Sequence, residues 1–101
     1  YKKNKNIDMT KCEICYKVTE EIINKVVVGG SCAECEALIG AAFTALEAAD
    51  IFQPEFEPVI VAVEVVFESV FSYYCNKYGV EWIKDNVEEF SKEVCKKAKL
   101  C

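Results

Sequence analysis

The chain has 101 residues and a mass of 11.4 kDa, room for one domain with a small core. Its net charge is −5 with no arginine and no histidine, which excludes a basic nucleic-acid footprint and leaves acid–base work to carboxylates or lysine. Seven cysteines and 52% hydrophobic residues suit a secreted, disulfide-stapled scaffold, and the odd count leaves at least one thiol without an intramolecular partner.

No apolar leader opens the sequence, so a secreted protein would be in its mature form here, and no Asn-x-Ser/Thr acceptor for N-glycosylation occurs. Charge is uneven. Residues 31–76 carry eight acids and no lysine, while the two ends together are mildly cationic.

Residues 1–9 read as a flexible polar arm and residues 10–101 as one domain. Thr10 and Glu13 make the T-x-x-E of a capping box, so a helix should begin there. Cys12, Cys15, Val18, Ile22 and Val26 then recur at three- and four-residue spacing, with Glu13, Lys17, Glu20 and Asn24 on the other face. Gly29-Gly30 should stop it. Ser31 and Glu34 form a second box that opens a helix running to about Phe52, with a stripe of Leu38, Ala42, Leu46 and Ala49 widened by Ile39 and Phe43. Gly40, Ala41, Ala45 and Ala48 are small enough to let another helix approach closely.

QPEFEP (53–58) breaks the chain, and Pro58 suits the first turn of a third helix that reaches about Asn76. Glu57, Glu64, Glu68 and Ser72 mark its wet side, and the run 58–74 looks too short and too charged to span a bilayer. Gly79 marks a bend. Val80, Ile83, Val87, Phe90, Val94 and Ala98 give a last amphipathic helix, with a kink expected near Ser91. Trp82 falls beside Asn86 and Glu89 on its polar side, as a membrane-interface anchor or a plug at the Gly79 hinge. The expected fold is all-α, four to five amphipathic helices with short connections.

Cys12 and Cys15 lie one turn apart on the first helix; Cys95 and Cys101 lie in the last helix and at its end. A nested pairing, Cys12–Cys101 and Cys15–Cys95, would lay those helices antiparallel and staple both chain ends. If the middle hairpin turns near residue 55, Cys35 and Cys75 are equidistant from the turn. That pairs them and leaves Cys32 odd, with Cys32–Cys75 still open. Cys12-x2-Cys15-x16-Cys32-x2-Cys35 also fits a four-cysteine zinc spacing. Against zinc, each pair sits in a helix's first turn, not in a Gly-containing knuckle, and three further cysteines would go unexplained.

Cys12-x2-Cys15 opening the first helix, Cys95-x5-Cys101 closing the last, and Tyr78-Gly79 soon after Cys75 resemble the saposin-like (saposin B-type) family, as a secreted invertebrate member. The resemblance covers residues 10–101. It departs in the middle, where family members staple the tip of the central hairpin and this chain has no cysteine. The resemblance implies a disulfide-stapled bundle of two helical leaves, the first and last helices against the second and third, that fold over each other or open. It also implies non-catalytic binding of lipids, sphingolipids included, or of a membrane surface, in a secreted or lysosome-like digestive compartment.

Opening would expose Ile22, Val26, Leu38, Phe43, Leu46, Ile60, Val63, Phe67, Phe71, Ile83, Val87 and Phe90, the candidate lipid-binding residues. Taken one by one, the same residues fit an ordinary closed core. The carboxylates of 31–76 would oppose anionic lipid until protonated, so binding should favour acid pH; equally, they fit a solvated helix face. Lys2, Lys3, Lys5, Lys11, Lys96, Lys97 and Lys99 could instead meet head groups. The alternatives are a membrane-permeabilising effector, against which the acidic charge speaks, and a disulfide-stapled helical interaction module. No nucleophile–base pair or two-carboxylate cleft can be argued, so no catalytic residues, cofactor or metal are expected. A free Cys32 near a helix start would have a favoured thiolate and could join two copies in a homodimer.

Overall fold

A computed structural model describes residues 10–28, 30–48 and 57–101. The N-terminal arm, the end of the second predicted helix and the predicted turn at 53–56 lie outside them. Among these residues five helices follow one another: α1 (Lys11–Val26), α2 (Cys32–Ala48), α3 (Glu57–Tyr78), α4 (Val80–Asp85) and α5 (Val87–Lys97). The protein is a disulfide-stapled all-α bundle.

Local chemistry explains most boundaries. At the start of α1 the Glu13 N–H donates to Thr10 Oγ1 at 3.1 Å, and the Thr10 N–H donates back to Glu13 Oε1 at 3.0 Å. The start of α2 repeats the pattern: the Glu34 N–H donates to Ser31 Oγ at 3.3 Å and the Ser31 N–H to Glu34 Oε1 at 2.9 Å. Each box satisfies two backbone donors that a helix start otherwise leaves unpaired. Between α3 and α4 stands Gly79 at φ +106°, a backbone conformation that side chains disfavour. α5 ends in a Schellman motif: the Leu100 N–H bonds the Cys95 carbonyl and the Lys99 N–H the Lys96 carbonyl, both at 3.0 Å. Lys99 takes the left-handed position usually held by glycine, at φ +61°.

Two expectations shift. The break in the last helical stretch falls at Asn86, not near Ser91. Both the Asn86 N–H and its Nδ2 donate to the Trp82 carbonyl, at 2.8 and 2.9 Å, so this amide competes with helix continuation and divides α4 from α5. On α2, Gly40, Ala41, Ala45 and Ala48 are exposed instead of facing a neighbour, and Leu38 is 39% exposed; the buried side is Cys35, Ile39, Ala42, Phe43 and Leu46.

α3 is also longer than its apolar run. Its 22 residues have an 18-residue window of mean hydropathy 1.5, long and apolar enough to cross a membrane by length and composition, which corrects the expectation that the segment is too short. Here it is the central helix, packed against α1, α2, α4 and α5 and burying Val59, Ile60, Val63, Phe67, Val70, Phe71 and Cys75. Its outer side carries Glu64 and Glu68 but also the exposed Val61 and Val65.

Candidate functional site at the seam between two helix pairs

Three disulfides divide the bundle into two covalent units. Cys12–Cys101 and Cys15–Cys95, with Cα–Cα distances of 4.7 and 5.9 Å, both join α1 to the α5 end of the chain. The third joins α2 to α3. Among the described residues no disulfide crosses from the α1/α5 pair to the α2/α3 pair. The two pairs are held together by burial, by the backbone between α1 and α2, and by the turn at Gly79.

The third bridge corrects the expected pairing. Cys75 is bonded to Cys32, with Cα atoms 6.0 Å apart, and Cys35 is the free cysteine, buried at 1% exposure. Equidistance about residue 55 placed Cys35 opposite Cys75; the observed pair is centred at (32 + 75)/2, near 53.5, so the α2/α3 register lies one helical turn away. Cys32 therefore has no thiol to offer a second copy in this state. Cys12, Cys15 and Cys32 all lie in disulfides, so the four-cysteine zinc spacing is not assembled, and among the described residues no group of three potential ligands is gathered.

The seam holds most of the candidate lipid-binding side chains. Ile22, Val26, Phe43, Leu46, Ile60, Val63, Phe67, Phe71, Ile83 and Phe90 are buried in one cluster, Val87 packs against it half-buried, and Leu38 stands largely outside. Phe67 is its centre. Its ring meets Phe43 of α2 edge-on at 5.5 Å, Phe90 of α5 edge-on at 5.5 Å, and Phe71 in a near-parallel stack at 6.0 Å. The Phe67–Phe90 contact crosses from one helix pair to the other. Two polar side chains lie in the same interior. Thr19 Oγ1 donates to the Cys15 carbonyl at 2.8 Å, whereas Ser91 Oγ is buried without a protein partner.

An aromatic stack missed by the apolar pattern closes the seam beside Gly79. Tyr74 and Tyr78 of α3 stack with Trp82 of α4 at 5.4 and 4.6 Å. Trp82 is half-buried there and plugs the joint, in keeping with the hinge position. The four-residue spacing of Tyr74, Tyr78 and Trp82 is its sequence signal. Burial, with the nearby Glu93 carboxylate, raises the Tyr74 hydroxyl above the ordinary tyrosine value. Lys77 Nζ donates to Tyr73 Oη at 3.3 Å and lies 5.4 Å from both the Tyr73 and Tyr78 ring centres.

Comparison of the chain with family models, curated proteins and solved structures returns no match.

Proposed function

We propose that the protein is a non-catalytic, saposin-like lipid-binding or membrane-surface protein whose two helix pairs part along the seam to cover lipid. The observation that carries this reading is the disulfide layout, which staples each pair internally and, among the described residues, puts no disulfide across the seam, so that burial and two backbone connections keep it closed. The magnitude decides when opening can occur. Uncovering ten buried side chains at roughly 1.5–3 kcal/mol each would cost roughly 15–30 kcal/mol in water, beyond the ~5–15 kcal/mol that holds a domain folded. Opening is therefore coupled to an apolar surface that takes the place of the partner leaf. The exposed Val61 and Val65 on the outside of α3 offer a first contact. Three disulfides suit an oxidising, secreted or digestive setting.

Flotation with vesicles of zwitterionic and anionic lipid, from about pH 4 to about pH 7.5, tests the reading. Protein should float with the vesicles, more strongly on anionic ones as acid neutralises the carboxylates of 31–76, and emission from Trp82, the single tryptophan, should shift. Protein left at the bottom of every gradient overturns it. A second reading, membrane permeabilisation, draws on the length and hydropathy of α3; release of a trapped dye at protein levels that merely coat vesicles would select it.

A further inference from the structure

Cys32-Ala33-Glu34-Cys35 occupies the first turn of α2, and its two sulfurs are in different states. Cys32, half-buried at the helix start, is bonded to Cys75 of α3, while Cys35 is a buried thiol. The two residues are three apart on one helix, which places their Cα atoms about 5 Å from each other by helix geometry. That lies inside the ~4.4–6.8 Å window a disulfide requires, so a Cys32–Cys35 bridge can close without unwinding α2. A Cys-x-x-Cys pair whose first sulfur is bonded to a third cysteine and whose second is free has the arrangement of a mixed disulfide awaiting resolution.

We infer that Cys32, Cys35 and Cys75 form an exchange centre in which Cys35 resolves the Cys32–Cys75 bridge and releases α3 from α2. In the step, the Cys35 thiol gives its proton to a base in solution and its thiolate attacks Cys32 Sγ. The Cys32–Cys35 bond forms as the Cys32–Cys75 bond breaks, and Cys75 leaves with the electron pair and takes up a proton. One disulfide and one thiol are present before and after, so no oxidant or reductant is consumed. The exchange removes the sole covalent link between α2 and α3 apart from the chain that connects them, and leaves the clasp between α1 and α5 intact.

The surroundings of Cys35 set when this happens. Burial first, then the Glu34 carboxylate, hold the thiol above its ordinary value; Glu36 adds to this, and the Gly30 backbone works against it. A groove of about 380 Å³ reaches Cys35 from solvent, lined by Val26, Val28, Gly30, Glu34, Ala37 and Leu38. Among the described residues the α1 side and the turn line it with Val26, Val28 and Gly30, none of them titratable, α3 contributes Cys75 already in the bridge, and so Glu34 and Glu36 are the charges that oppose the thiolate. A raised thiol keeps the centre at rest near neutral pH. Alkali, or any event that loosens the packing over Cys35, starts it.

Thiol mapping of the intact protein without reductant tests the inference. Samples held at about pH 6 and about pH 9 are acid-quenched, unfolded, capped with a maleimide and sequenced by mass spectrometry. The label should sit on Cys35 at the lower pH and pass to Cys75 at the higher, with Cys32 and Cys35 then sharing a bridge. In Cys35→Ala no thiol should appear at Cys75 at either pH. A label that stays on Cys35 at both pH values overturns the inference, as does one that moves to Cys32 or spreads onto Cys12, Cys15, Cys95 and Cys101 as general scrambling.

Discussion

Side chains that act within one turn of backbone define the residue scale. Thr10 and Ser31 each bind the N–H three residues on, and Glu13 and Glu34 return the bond. Substituting either hydroxyl residue with alanine strands a backbone donor, so Thr10→Ala and Ser31→Ala should each cost about 1 kcal/mol in urea unfolding. Because the boxes open separate helices, the double variant should lose the sum. A loss near zero for either one would mean that water replaces the bond at no cost. Both boxes are legible in the sequence because donor and acceptor sit in one short motif. The state of Cys35 is not legible in that way, since its burial depends on α1 and the α1–α2 turn as well as on its own helix.

Among elements, α2 and the Gly79 turn show how the same residue type can hold opposite roles. Gly40 lies exposed within α2, and a Cβ added there meets nothing within 4 Å. Gly40→Ala should therefore stabilise the protein by roughly 0.5–1 kcal/mol through the unfolded chain. Gly79 also has open space around it, but its φ of +106° is strained for any side chain, so Gly79→Ala should cost roughly 1–3 kcal/mol. Thermal or urea unfolding of the two variants should give opposite signs; the same sign in both would refute the conformational argument. Gly30 differs again, since a Cβ there would stand 2.5 Å from the capping Glu34 Oε1. Periodicity located the helices well and their faces less well. On α2 the small residues looked like a packing groove but face solvent, because the side chosen by burial carries Phe43 and Ile39, which remove more apolar area from water. The Asn86 break leaves no mark on the hydrophobic pattern, because Ile83, Val87 and Phe90 keep helical spacing across it.

For the whole molecule, the nested clasp governs stability. Cys15–Cys95 alone closes a loop with a sequence separation of 80. Cys12 lies three residues before it and Cys101 six after it, so Cys12–Cys101 adds a loop of only about nine residues, worth about 2–3 kcal/mol on the chain-entropy model. Replacing Cys12 and Cys101 by serine should cost about that much. Removing both outer bridges should cost about 7 kcal/mol, the long loop adding about 4–5, enough to unfold many small domains. Equal losses for the single-bridge and double-bridge variants, measured by urea unfolding, would show that the bridges do not act through loop closure. The third bridge shares no cysteine with this clasp, so its exchange leaves the chain ends joined.

Helix content, both capping boxes and the bend at Gly79 were determined by the sequence alone, because each is set within a turn or two or by a pattern repeated along one helix; the nested pairing of the terminal cysteines, which the spacing offered as an expectation, is formed by the packing of α1 against α5. Which sulfur of Cys32-Ala33-Glu34-Cys35 meets Cys75 was decided only by the tertiary structure. Residues three apart on a helix share a face, so the hydrophobic pattern cannot tell one register from the next; only the packing of α2 against α3 and α1 chooses between them. The same packing decided that ten of the twelve candidate lipid-binding residues lie closed in a seam, with Phe67 and Phe90 in contact across it.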